Sequence, residues 1–252
     1  PPPPPLFFQA DHGIRQQPRS RGLGDVYKSQ ICGLTDVEQA LAIAAMDVQA
    51  IGVIGVANTA RFVEASRRRE IFSALALHNP GINRVWVVAD PNPSDLEDAL
   101  SGEGLPTVVQ LHGNETPSRC AALREWRPDI AWWKALRLRE ANDVTTANDY
   151  VGSVDAFLLD AWNPNQLGGT GHRIPLDWLA NPTHNVAWWL AGGISAEWIP
   201  DLLKDVAPDG LDASSRLEHK PGWKDLNKVK ALVDAVKHSQ GLTTRGLTSE
   251  ET

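Results

Sequence analysis

Cysteine is scarce in this chain: of 252 residues only two, Cys32 and Cys120, carry a thiol. Two cysteines cannot form a disulfide framework. Neither sits in a CxxC pair or a Cys/His cluster, so no zinc site is signalled and a reducing cytoplasm is the expected setting. Long apolar runs are missing too. None approaches the ~20 residues that a membrane-spanning helix needs, so no membrane partner is expected. Positive charge is in deficit, with a formal net charge of −7. Binding a polyanion takes a clustered basic surface, so no nucleic-acid partner is expected either. The one basic run, Arg67-Arg68-Arg69, falls in a helical pattern and reads as a solvated helix face. Also absent is the glycine fingerprint of a dinucleotide-binding sheet, since the first apolar run leads into Cys32-Gly33-Leu34-Thr35.

The two ends are polar or proline-rich. Residues 1–23, beginning "PPPPPLFFQADHG", lack a secretory apolar region and read as an extended or disordered arm. Residues 239–252 read as a polar tail that frays. Between them, residues 24–238 form the expected folded unit.

Within that unit eight short apolar runs recur: Tyr27–Cys32, Ala50–Val56, Arg84–Val88, Thr107–Leu111, Ala131–Leu136, Ala156–Asp160, Val186–Ala191 and Gly210–Ser214. Each is rich in Val, Ile, Leu or Trp, as strands buried on both faces are. Helical patterns fill the gaps, over 36–47, 64–77, 94–101, 117–126, 139–149, 195–206 and 224–237, with a short candidate at Leu176–Ala180. Several have start signals. Thr35 with Glu38 and Ser94 with Glu97 make capping boxes, Thr116 precedes a first-turn Pro117, and Ser195 can cap the helix after Gly192-Gly193. Strict alternation of strand and helix means a parallel sheet, and eight units at this length favour a closed (βα)8 TIM barrel over an open sheet.

A barrel of this kind keeps its active site at the C-terminal ends of its strands. That rule picks out Cys32 after strand one, Arg61 in the second loop, His112 after strand four, Asp160 ending strand six, Gly192-Gly193 after strand seven, and Asp212, Ser214 and Ser215 at strand eight. Glycines and serines after the last two strands suit a phosphate. A thiol and a carboxyl at one mouth could take and give a proton. Taken singly, each has a plainer reading: a buried small residue, a turn cap, a structural histidine, an arginine paired with a surface carboxylate. The tryptophans, Cys120 and Met46 read as packing.

The segments "ICGLT", "VVQLHGNE", "LLDAWNPNQLGGTGH", "LAGGIS" and "DGLDASS…PGWKD" resemble, in order and spacing, phosphoribosylanthranilate isomerase of tryptophan biosynthesis, the sixth-strand segment its cyanobacterial form in particular. The resemblance spans about residues 26–237. It implies a cofactor-free and metal-free enzyme acting on a small-molecule substrate by an Amadori rearrangement, with a monomer as the default. It also implies roles. Cys32 matches the general base and Asp160 the general acid. Arg61 matches the arginine that holds the anthranilate, His112 a histidine at the mouth, and Gly192, Gly193, Ser214 and Ser215 the phosphate loops. Gly169 and Asp212 are further substrate-binding candidates. The acid must be protonated when substrate binds, which a nearby phosphate and carboxylate would promote. The base needs a local positive field.

Three places depart from the family pattern. Gln30 stands where the family carries a lysine, with Lys28 displaced by one pleat. Arg216 stands where it has a glycine, and "GVANTARF" lacks its usual Tyr-Pro-Lys-Ser run. Gln30 and Arg216 leave open a barrel of the same lineage isomerising a related phosphoribosyl aminoketose; a non-catalytic binder of phosphate ligands is a further alternative.

Overall fold

The computed structural model describes residues 27–163, 171–179 and 186–246, with side chains through residue 239. The expected N-terminal arm and Gly169 therefore lie outside the described residues. Eight parallel strands close into one barrel in sequence order. They are β1 Lys28–Cys32, β2 Ala50–Ile54, β3 Asn83–Val88, β4 Val108–Leu111, β5 Ala131–Leu138, β6 Ala156–Ala161, β7 Ala187–Leu190 and β8 Gly210–Ala213. Among the described residues six α-helices pack outside: α1 Val37–Ala44, α2 Ala65–His78, α3 Pro93–Ala99, α4 Pro117–Trp126, α5 Ile199–Asp205 and α6 Leu226–Gly246.

Residues alternate faces along a strand, and here the alternation sorts the apolar set into two bodies. Cys32, Ala50, Val85, Val87, Val108, Trp133, Ala135, Ala156, Leu158, Trp189 and Ala191 fill the barrel interior. Their sequence neighbours Ile31, Ile51, Trp86, Val109, Trp132, Phe157, Leu159, Trp188, Leu190 and Leu211 face the helices. The interior is plugged by Trp133 and Trp189, whose ring centroids lie 4.8 Å apart at 32°. Gly210, the register partner of Trp189, leaves room for that indole: a Cβ there would collide with the ring. The alternation has a functional consequence. Continuing β1, β4, β6 and β8 inward past this plug brings up Gln30 and Cys32, Gln110 and His112, Asp160, and Asp212 and Ser214, so polar side chains occupy the upper end of an otherwise apolar interior.

Several helix starts differ from the sequence expectation. The cap of α1 is Asp36, which accepts from Gln39 N at 3.0 Å, while the Thr35 hydroxyl donates to Gly222 O. Asn92 rather than Ser94 caps α3, accepting from Asp95 N at 2.9 Å. Thr116 caps α4 as expected. Ser195 caps nothing, because α5 starts at Ile199. Pro200 lacks the N–H that an earlier start would require and would clash with the preceding turn. Segment Ala141–Tyr150 is 3-10 rather than α-helical. There the Thr145 and Thr146 hydroxyls donate to carbonyls three residues back, competing for the acceptors an α-helix would use. Leu176–Leu179 and Ser215–Leu217 are also 3-10 turns. Helix α6 runs past residue 238 to Gly246, since Gly241 lowers helix propensity without ending the helix.

The basic run is only partly a solvated face. Arg68 is 3 % exposed, with its guanidinium 4.5 Å from the centre of the Trp86 ring. A delocalised cation tolerates that position over an electron-rich ring. A hairpin not anticipated from the sequence, β9 Glu218–Lys220 with β10 Trp223–Lys224, follows β8 and turns at Pro221-Gly222. Among the described residues no helix is long and apolar enough to cross a membrane.

Candidate active site

One cavity of about 680 Å³ opens at the C-terminal end of the barrel. Cys32, Arg61, His112, Asp160, Gly192, Gly193, Asp212, Ser214 and Ser215 all line it. Every site residue expected from the sequence and present among the described residues thus meets the same space. Cys32 on β1 and Asp160 on β6 are separated by β8 and β7 around the barrel.

Toward β4 and β6, the Gln30 amide donates to Gln110 Oε1 at 3.3 Å, and Gln110 Nε2 lies 3.2 Å from His112 Nδ1. An amide NH2 only donates, so Nδ1 accepts and neutral His112 carries its proton on Nε2. That nitrogen is 3.6 Å from Asp160 Oδ2. It is buried, and neither it nor Asp212 Oδ1 has a hydrogen-bond partner among the described residues. Orphaned polar atoms are costly in a folded core, and both residues line the cavity, where a polar ligand can satisfy them.

At the β1 end, Arg61 lies across the chain just after the Cys32 thiol. Its Nε and Nη2 donate to the two Glu218 oxygens at 2.8 and 2.7 Å. Lys224 Nζ donates to Glu218 Oε1 at 2.7 Å. The plain reading paired Arg61 with a surface carboxylate; it does pair with a carboxylate, but that of the buried Glu218. Gly33 permits the arrangement: its φ is +80°, and a Cβ there would come 2.5 Å from Arg61 Cδ. At the other rim, Gly192 and Gly193 have φ of +93° and +67°, and Cβ atoms on them would meet His172 O at 2.5 Å and Gly171 O at 2.8 Å.

The electrostatics follow from burial. Burial pushes the Cys32 thiol well above the ordinary range, with Asp212 adding to the rise, while Lys224, Arg61 and the Gln30 amide oppose it. Asp212 is pushed up to about 7, by burial first and by the charge of Asp160 second. Burial also acts to raise Glu218, but its bonds to Arg61 and Lys224 outweigh that and hold it below the usual carboxylate range.

A second buried ion pair supports the loop that carries His112. Lys134 Nζ donates to Glu115 Oε2 at 2.9 Å and Gly113 O at 2.8 Å. Glu115 Oε1 accepts from Asp90 N at 2.7 Å. Both side chains are 2 % exposed. Removing one partner strands a buried charge, so Lys134→Met is expected to cost ~3–5 kcal/mol of stability in chemical denaturation. A loss under 1 kcal/mol would contradict this role.

The departures resolve differently. Lys28 is exposed at the far end of β1, while Gln30 is fully buried. Arg216 lines the cavity and donates to Gly171 O at 3.3 Å. The Ser214 hydroxyl is committed internally, donating to Cys32 O at 3.0 Å. Sequence reasoning gave no role to Gln110, Glu218 or Lys224. The signal for the last two was the Pro221-Gly222 turn between short segments, although strands so brief leave no periodicity. Among the described residues, no group of three or more His, Cys, Asp or Glu side chains could hold a metal ion.

The family model for N-(5'-phosphoribosyl)anthranilate (PRA) isomerase matches residues 29–235. The chain is 42 % identical over 212 residues to the N-(5'-phosphoribosyl)anthranilate isomerase of Synechococcus sp. strain JA-3-3Ab, covering 84 % of this chain and 91 % of that one. It is similar to the crystal structure of phosphoribosyl anthranilate isomerase from Thermotoga maritima, with a TM-score of 0.74, 26 % identity, and coverage of 84 % of this chain and 100 % of that one. It is also similar to a phosphoribosyl anthranilate isomerase solved with reduced 1-(o-carboxyphenylamino)-1-deoxyribulose 5-phosphate, with a TM-score of 0.68, 25 % identity and the same coverages.

Proposed function

The chain belongs to the N-(5'-phosphoribosyl)anthranilate isomerase family, and from that premise we propose how its barrel mouth performs the reaction. The activity is an aldose–ketose isomerisation in tryptophan biosynthesis. N-(5'-phosphoribosyl)anthranilate becomes 1-(2-carboxyphenylamino)-1-deoxyribulose 5-phosphate. We assign the following roles.

The phosphate sits against Gly192, Gly193 and Ser215, with Ser214 contributing backbone rather than its engaged hydroxyl. The anthranilate lies toward Arg61, whose Nη1 remains for its carboxylate once Glu218 has taken Nε and Nη2. Asp160 protonates the furanose ring oxygen. The C1–O bond breaks as the anthranilate nitrogen forms a double bond to C1. The Cys32 thiolate then takes the proton from C2, the electrons move to nitrogen, and the enol-amine becomes the ketose. His112 Nε2–H and Asp212 orient the sugar hydroxyls.

Two carboxyls in one dry site share a proton more readily than either ionises alone. With Asp212 raised to about 7 by burial and by the charge of Asp160, this carboxyl keeps hold of a proton about half the time near neutral pH. An arriving phosphate strengthens that hold. We place the enzyme in the cytoplasm as a monomer without cofactor, binding no nucleic acid.

The observation that carries this reading is that Cys32 and Asp160 face one cavity together with two unsatisfied polar atoms, on His112 and Asp212. The test is incubation of the purified chain with phosphoribosylanthranilate in excess EDTA. Formation of the deoxyribulose product supports it, and absence of conversion overturns it.

A further inference from the structure

Lys224 is a buried lysine whose side chain is 0 % exposed. Its backbone is clamped to α1, donating to Gln39 Oε1 and accepting from Gln39 Nε2, each at 3.0 Å. Its ammonium reaches Glu218 Oε1 at 2.7 Å and both Ser214 O and Ser214 Oγ at 3.3 Å. Ser214 Oγ in turn donates to Cys32 O at 3.0 Å, so one hydroxyl separates the ammonium from the thiol residue's own backbone.

A charge count makes this position informative. Arg61 and Lys224 share the single carboxylate of Glu218, so the cluster carries one net positive charge in a buried site. Isolated buried charge is costly and calls for a counter-ion. Position 30, on the thiol's own strand, is a neutral glutamine. The other titratable groups facing the thiol are Asp212 on β8 and, beyond it, Asp160 on β6. Lys228 reaches only the outer Glu218 carbonyl, at 3.4 Å.

We propose that Lys224 is a positioning residue for the base: its ammonium makes the Cys32 thiolate the counter-ion of the Arg61–Glu218–Lys224 cluster. The inference rests on Cys32 being the base, and it adds a group that favours the ionised form of that thiol against its burial. The direction of Lys224's influence on the thiol agrees, since it favours the ionised form.

The test uses the full chain in a Cys120→Ser background. The rate of Cys32 alkylation by iodoacetamide is followed against pH beside the pH profile of kcat/KM. Lys224→Gln is expected to move the rising limb of both profiles to higher pH by about one unit, a roughly tenfold loss at neutral pH. Lys224→Arg should restore the limb. Glu218→Gln, which leaves the cluster more positive, should move the alkylation limb to lower pH, read in a variant that melts cooperatively, because unfolding would by itself return the buried thiol toward its ordinary range. If Lys224→Gln does not melt cooperatively, the Glu218→Gln shift decides. Alkylation limbs that stay in place, or move together in one direction, would overturn the proposal. Alkylation reads the thiolate without turnover, so this failure is distinct from failure of Cys32 as the base.

Discussion

Replacing Cys32 by alanine is expected to lower kcat for phosphoribosylanthranilate by about 10³-fold while the barrel stays folded. The magnitude is that of a positioned general base, whose removal typically costs 10²–10⁴-fold, or about 4 kcal/mol of barrier at 10³. The reason is local. Among the described residues on β1 and in the loops beside it, Gln30 is an amide, the Ser214 hydroxyl is spent on Cys32 O, and the Arg61–Glu218 pair is locked, while Asp212 on the neighbouring β8 is assigned to the sugar hydroxyls. The fold should survive because alanine removes only a thiol from the edge of the interior cluster, where Cys32 also borders the cavity. Circular dichroism and a thermal melt alongside steady-state kinetics check both halves. A variant within tenfold of wild type would remove Cys32 from the chemistry.

Asp160→Asn is expected to have an effect of the same order, for the complementary reason. Asparagine keeps the shape and can still face His112, but it cannot protonate the ring oxygen, so the ring does not open. This substitution has a second consequence with a definite sign. The charge of Asp160 is a cause of the upward shift at Asp212, so removing it should lower the Asp212 pKa from about 7. The carboxyl resonance of Asp212 followed by NMR through a pH titration would report this. A midpoint that rises in the variant contradicts the coupling, and turnover that survives contradicts the role as acid.

Much of the molecule was legible because barrel strands announce themselves as short apolar runs, and all eight fell where the pattern placed them, with ends shifted by a residue or two. Once they were in order, the rule that chemistry sits at strand ends was enough to gather Cys32, His112, Asp160 and Asp212 from positions far apart in sequence. What escaped has physical causes. Glu218 and Lys224 arrive on strands of three and two residues, too short for alternation to register. The Gln30–Gln110 bond joins β1 to β4 across the barrel interior, a contact no local pattern encodes. Arg68 is buried because Trp86 offers a ring face, which a basic run alone does not reveal. The start of α5 turned on Pro200, which outweighed a suitable cap at Ser195. The glycines after β7 were legible as part of the mouth, but the internal use of the Ser214 hydroxyl was not.

The central claim is that this chain isomerises phosphoribosylanthranilate with Cys32 and Asp160 as its base and acid. The most direct measurement is complementation of a tryptophan auxotroph that lacks only this step. The wild-type chain is predicted to restore growth without tryptophan, and Cys32→Ala and Asp160→Asn, expressed to the same level, are predicted not to. Failure of the wild-type chain, or growth with either variant, would contradict the account.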